Sequence, residues 1–259
     1  MNPLFNDWMM LIFRWIHVLA GITWIGHLYF FNWVNGPLAK TYTPETRKLV
    51  VPELMPRALY WFRWGAAWTW ITGILLAGLV YYQSKNLFED PNNGKNPWLW
   101  LAVFVVVILV GFVVYNAIMK GVKNLIAANT ICLVLFAAAY LLLEYVGKFS
   151  GRALYIHAGA ILGSMMAGNV WMIIWPYQKR IITAIKNGTA ADAADVASAG
   201  LRSRHNTFMS VPLIFTMISN HYPTVFGSPY RDIILAVIIA IGFMATSMLY
   251  KKSAKVTGF

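Results

Sequence analysis

The sequence predicts an all-α integral membrane protein: a bundle of about seven transmembrane helices, N-terminus outside and C-terminus inside. Composition is the first observation behind it. Hydrophobic residues make up 59% and charged residues only 12%, where a soluble domain carries roughly a quarter charged. The second is the recurrence of apolar runs of the about 20 residues that cross a hydrocarbon core. The third is the placing of the basic residues on alternate connections.

The runs are Trp8–Val34, Leu59–Tyr82, Pro97–Met119, Asn124–Val146, Arg152–Pro176, Asn206–Tyr222 and Tyr230–Tyr250. Before the first, Met1–Asp7 has no basic n-region and no cleavage pattern, so the run reads as a retained helix rather than a signal peptide. Before the third, Glu89-Asp90-Pro91-Asn92-Asn93-Gly94 reads as a turn. The sixth is short and polar at both ends. Between the fifth and sixth, Lys179–Asn187 and Ala190–Leu201 read as helical pieces around the break Asn187-Gly188. The ten-residue alternation of a β-barrel is absent from the sequence. No polar stretch is long enough for a second core, so residues 1–259 read as one transmembrane domain.

With the N-terminus outside, inner segments hold Lys40, Arg47, Lys48, Arg57, Lys120, Lys123, Lys179, Arg180, Lys186, Arg202, Arg204, Lys251, Lys252 and Lys255. Outer segments hold Lys85, Lys95, Lys148, Arg152 and Arg231. Basic residues resist translocation, so this bias sets the orientation. It also explains the net charge of +12 without nucleic acid as a partner. The 12 Trp residues suit a chain with two lipid–water interfaces to anchor. The single cysteine, Cys132, excludes an internal disulfide, a CxxC knuckle and a CxxCH covalent-haem motif, and reads as a small buried apolar residue.

Chemistry falls to the histidines. His17, His27, His157, His205 and His221 lie in or beside apolar runs, and an ionisable group inside a membrane is costly enough to suggest function. The topology sorts them by depth. His17, His157 and His221 belong to the outer half, and His27 and His205 to the inner. Paired imidazoles from facing helices hold haem iron in bundles. His17 and His157 share direction and depth; His157 with His221 is the alternative pair. A faint echo links their helices, for His17 precedes Pro37 by 20 residues and His157 precedes Pro176 by 19. Small neighbours such as Gly21 and Ser164 leave room for a flat macrocycle. Gly159, Gly163 and Ala167 equally suit close helix packing. Arg14 is positioned for a haem propionate or for snorkelling to the interface. Glu144 and Arg63 read as snorkelling side chains, and Asn116, Asn129 and Asn169 as interhelical hydrogen-bonding groups. No Walker A loop, HExxH, GxSxG or paired intramembrane carboxylate is present, against nucleotide-driven transport, zinc proteolysis, serine hydrolysis and proton-coupled transport.

Arg202-Ser-Arg-His-Asn-Thr-Phe-Met-Ser-Val-Pro-Leu213, running on to Met217-Ile-Ser-Asn-His-Tyr-Pro223, resembles the hallmark segment of the membrane-bound urate oxidase N-terminal domain family. Arg14–Gly26 resembles that family's first helix, and His157–Lys179 its fifth. The resemblance covers nearly the whole chain. It implies a multi-pass redox protein of the bacterial inner membrane, with His17, His157, His205 and His221 carried over as cofactor or metal ligands and haem b as the cofactor. Full-length members end in a cytochrome c domain, whereas this sequence reaches Phe259 without a CxxCH. The expectation is a haem-b electron-transfer protein or subunit of a respiratory or oxidase complex, passing electrons to a separate cytochrome c or other redox subunit. The alternatives are a structural or assembly subunit without its own cofactor, and a small-molecule transporter.

Overall fold

The computed structural model describes residues 3–256. Its long helices are α1 (Pro3–Leu38), α2 (Pro44–Tyr82), α3 (Pro97–Gly121), α4 (Leu125–Val146), α5 (Gly151–Lys186), α6 (Ala193–Ser219) and α7 (Arg231–Ser253). No strand occurs among the described residues; Phe88 and Phe149 form one isolated antiparallel bridge. All but α6 are long and apolar enough to cross a membrane. The sixth run is therefore helical without meeting the composition of a span, and the reason is its polar content. Asn206, Thr207, Ser210 and Thr216 are each 0% exposed, so α6 hides its polar groups in protein rather than presenting an apolar surface. The readings that touch Met1, Asn2 and residues 257–259, the N-terminal segment and the far C-terminus, lie outside the described residues.

Helices form here because unpaired backbone groups cannot be left in hydrocarbon. Local chemistry sets the ends. The Asn96 side chain accepts from Trp98 N at 2.9 Å ahead of α3, with Pro97 in the first turn, where its missing N–H costs nothing. Asn124 accepts from Ile126 N and Ala127 N ahead of α4 at 3.0 and 3.1 Å. The break between α5 and α6 holds Gly188 at φ 71°, a left-handed conformation that suits glycine. Likewise Gly94, at φ 74°, closes the Glu89–Gly94 turn.

Among the described residues, four helices contain a π-helical turn, at Phe30–Asn35, Gly78–Tyr82, Leu142–Val146 and Asn169–Ile174. Such turns are rare and gather at functional sites. Two of them give the sequence echo a structural counterpart. In α1, Gly36 N–H bonds Phe31 O just before Pro37. In α5, Trp175 N–H bonds Val170 O just before Pro176. Each proline ring would clash with the carbonyl one α-turn back, and the widened turn ahead of it takes up that misfit.

The chain divides into two compact units. One comprises Met1–Leu11, Gly73–Met165 and Leu213–Ala236, the other Ile12–Thr72, Met166–Pro212 and Val237–Phe259. The first has an aromatic core that includes Tyr82, Phe104, Phe149 and Tyr155. There α5 and α6 approach through small residues: a Cβ on Gly159 would clash with Thr216 Oγ1, and one on Gly163 would lie 3.2 Å from Leu213 Cδ1. Packing is thus a role these glycines do perform. The second unit buries Trp24, Leu28, Leu59, Phe62 and Met166. Its α1–α2 contact depends on Gly65, whose Cβ would stand 3.0 Å from Trp24 N. Over its apolar window α5 is 67% buried, against 6–22% for the other candidate spans, so it is the most enclosed helix.

Candidate functional site

In the first unit, His157 is 1% exposed and has both ring nitrogens engaged. Nδ1 lies 2.7 Å from Ala153 O. A carbonyl only accepts, so Nδ1 carries the proton. Nε2 is then the lone-pair nitrogen and accepts from the Tyr82 hydroxyl at 2.8 Å. Four aromatic rings meet the imidazole nearly at right angles, with centroids 4.6 Å (Phe104), 5.0 Å (Phe149), 5.6 Å (Tyr82) and 5.7 Å (Tyr81) away. Tyr81 and Tyr82 are consecutive yet each 2% exposed. They close α2 inside its π-helical turn. Tyr81 OH continues to Asn220 Oδ1 at 3.1 Å, which also accepts from Arg152 Nε. His221 follows Asn220 and is exposed in the turn after α6. None of the bonds or ring contacts of His157 reaches it.

In the second unit, His17 is half-buried and its Nδ1 lies 3.1 Å from Thr72 Oγ1. The Thr72 hydroxyl donates to Trp68 O at 2.6 Å, so it accepts from His17, and Nε2 is again the lone-pair nitrogen. His27 repeats the pattern, with Nδ1 2.7 Å from Thr23 O. Three histidines on apolar helices thus share one tautomer. His205 is half-buried on α6 between Arg202, which is buried, and Arg204, which is exposed. Arg14 is exposed on α1, as a snorkelling side chain would be.

The second unit also holds a buried amide pair. Asn169 Nδ2 donates to Asn206 Oδ1 at 2.8 Å, and Asn206 Nδ2 to Met166 O at 3.0 Å. Asn169 therefore links α5 to α6, the role its residue type suggested. Asn32 donates to Ser203 Oγ at 2.8 Å and accepts from Tyr250 OH at 2.7 Å; Tyr29 OH and Ser210 Oγ are 3.0 Å apart.

Two readings, those of Glu144 and Cys132, are corrected. Glu144 does not snorkel: its side chain is 7% exposed and bonds Arg231 NH2 at 2.8 Å and Nε at 3.1 Å. Arg63 is half-buried and lies 3.9 Å over the Trp175 ring. Cys132 is half-buried rather than buried.

One element of haem ligation, the orientation of the imidazole, has a counterpart here. A ligating histidine gives its second ring N–H to a carbonyl or similar acceptor, which aims the other nitrogen at the metal. His17, His27 and His157 are all arranged so. At His157 the Tyr82 hydroxyl takes the lone pair and aromatic rings close around the imidazole, so ligation there needs Tyr82 turned aside. Among the described residues, no group of three or more His, Cys, Asp or Glu is placed to hold a metal ion.

A family model described as "Urate oxidase N-terminal" matches residues 3–48 and 41–257. No curated protein and no solved structure matches the chain.

Proposed function

The chain belongs to the urate oxidase N-terminal family, and on that premise we propose that it is a haem-b electron-transfer protein or subunit of a respiratory or oxidase complex in the bacterial inner membrane. The observation that carries the reading is the shared tautomer. On two apolar helices, His17 and His157 each anchor Nδ1–H within the protein, which leaves Nε2 as the lone-pair nitrogen; at His157 that lone pair accepts from the Tyr82 hydroxyl. When bound, a haem supplies a reversible one-electron couple whose potential imidazole ligation tunes. The chain's own work is to orient the imidazoles and to exclude water. Its aromatic residues do the second around His157. His205, half-buried, stays among the candidate ligands, while the exposed His221 and Arg14 are poorer ones. Electrons pass to a separate cytochrome c or other redox subunit.

A reduced-minus-oxidised spectrum of the purified protein tests this. Wild type is expected to show a low-spin b-type signal. His17→Ala is expected to remove it and His27→Ala to leave it intact. Fully folded wild-type protein without haem would end the proposal. The second reading, a structural or assembly subunit, draws on His157, whose ring is fully satisfied by protein groups.

The basic bias supports an N-out, C-in orientation. A reporter inserted at Asn187-Gly188 is then expected to report the cytoplasm. An outside signal there would reverse the assignment.

A further inference from the structure

Arg63 lies in α2 just past the point where the helix turns apolar. Upstream, Arg57 and Glu53 form an ion pair with both side chains more than 70% exposed. From Leu59 to Tyr82 the helix rises about 35 Å at 1.5 Å per residue, enough for a hydrocarbon core. Arg63 is one turn into that stretch. The exposed aromatics Tyr60, Trp61 and Trp64 lie within about one turn of it, and Trp and Tyr gather where lipid headgroups begin.

The Arg63 guanidinium carbon is 3.9 Å from the Trp175 ring centroid and 5.8 Å from those of Tyr60 and Trp171. Trp171 Nε1 donates to Arg63 O at 3.1 Å and holds the cage to the α2 backbone. None of the ion pairs among the described residues includes Arg63. Aromatic faces stabilise the cation but accept none of its in-plane hydrogen bonds, and Arg63 Nε is buried without an acceptor. One surface groove, lined by Glu53, Pro56, Arg57 and Trp61, reaches the cage at Tyr60, and a second, lined by Lys179 and Thr183, opens at Pro176, the residue after Trp175. Arg180 beside it is neutralised by Asp195 through two 2.6 Å bonds, whereas Lys179 enters no ion pair among the described residues.

We infer that Arg63 and its aromatic cage form a binding site for the phosphate of an anionic phospholipid, with acyl chains along the exposed apolar face of α2 and Lys179 adding a second positive charge. Arginine, planar and weakly hydrated, suits both partners: it stacks on indole and presents paired N–H donors to phosphate. The inference rests on the membrane reading of the helices and not on haem.

The test is thermal unfolding of the detergent-purified protein with added phosphatidylglycerol, phosphatidylcholine or inorganic phosphate. At a phosphatidylglycerol concentration about 100-fold above its dissociation constant, the wild-type midpoint is expected to rise by roughly 5–10 °C. Phosphatidylcholine and inorganic phosphate should not reproduce that rise. Arg63→Gln is expected to lose most of it. Trp175→Leu, which keeps the charge but removes the stacking face, should lose part, and serves if Arg63→Gln does not fold. An undiminished rise in whichever variant folds would overturn the site. An equal rise with inorganic phosphate would make it a free-anion site and overturn the lipid assignment.

Discussion

Glu144→Gln is expected to destabilise the protein by about 3 kcal/mol or more, because removing one member of a buried ion pair leaves the other charge uncompensated. Glu144 is carried on the Leu142–Val146 π-helical turn and meets Arg231 in the first turn of α7. Both contacts converge on one oxygen, Oε1, while Oε2 is buried without a hydrogen-bond partner. An amide at 144 would keep an acceptor for Arg231, but it would lose the charge and add a buried N–H group with nothing to bond. Arg231 has only a weak substitute in Glu89, 4.0 Å away with a side chain 66% exposed. Neighbouring bonds tie the same corner together: Tyr155 OH donates to Arg231 O at 2.6 Å, and Tyr140 OH to Asp232 Oδ1 at 2.8 Å. A loss of that size corresponds to a fall in melting midpoint of roughly 6–12 °C. The double variant Glu144→Leu with Arg231→Leu should fall by less than the two single changes summed, since it removes both charges at once. Thermal melts in detergent read wild type, Glu144→Gln, the double variant and its two single changes. If Glu144→Gln melts like wild type, or the double variant equals the sum, the pair is not what holds this corner.

Much of the fold was legible because lipid imposes a simple rule. The runs Pro97–Met119 and Asn124–Val146 coincide with α3 and α4 almost residue for residue. Their starts are set by Asn side chains that accept from the first backbone N–H groups. The run Leu59–Tyr82 ends with α2 but begins 15 residues after it, the helix starting at Pro44. Apolarity reports where lipid is, not where the helix is, and a charged stretch with Pro52 and Pro56 inside it reads as a connection until its packing is known. The same blindness shortened α5, which continues past Pro176 to Lys186. It also hid the nature of α6, whose Asn, Thr and Ser side chains mark a helix sheltered by protein rather than a weak span.

The site was legible in part. An ionisable residue amid apolar ones singles out His157 and His17. Their surroundings were hidden because Tyr82 lies 75 residues from His157, and Thr72 lies 55 from His17. No local period signals a π-helical turn that buries two consecutive tyrosines. Glu144 was misread for a related reason: only the fold brings Arg231 to it.

His157→Ala is expected to lower the haem signal by at least about tenfold if His157 is an axial ligand, since loss even of outer-shell partners costs roughly 10–100-fold in metal affinity. The Tyr82 hydroxyl makes this test sharper. It holds the Nε2 lone pair at 2.8 Å, so protein without haem and protein with haem bound at this residue must differ in where that hydroxyl points. Tyr82→Phe keeps the ring among its neighbours and removes only the competing donor. With His157 as ligand, Tyr82→Phe retains the low-spin signal and takes up haem at lower concentration than wild type in a titration. With His157 as a packing residue, Tyr82→Phe leaves the haem titration unchanged. It then costs roughly 1–3 kcal/mol, because the buried Nε2 of His157 is left without a donor. His157→Ala would in that case lower the melting midpoint through the cavity left among four aromatic rings, with the spectrum as in wild type. Size-exclusion profiles separate unfolding from loss of haem, and His157→Gln, which can still accept from Tyr82, supplies a milder packing control. A wild-type spectrum in His157→Ala would remove His157 from the ligand set and leave it to the aromatic core that surrounds it.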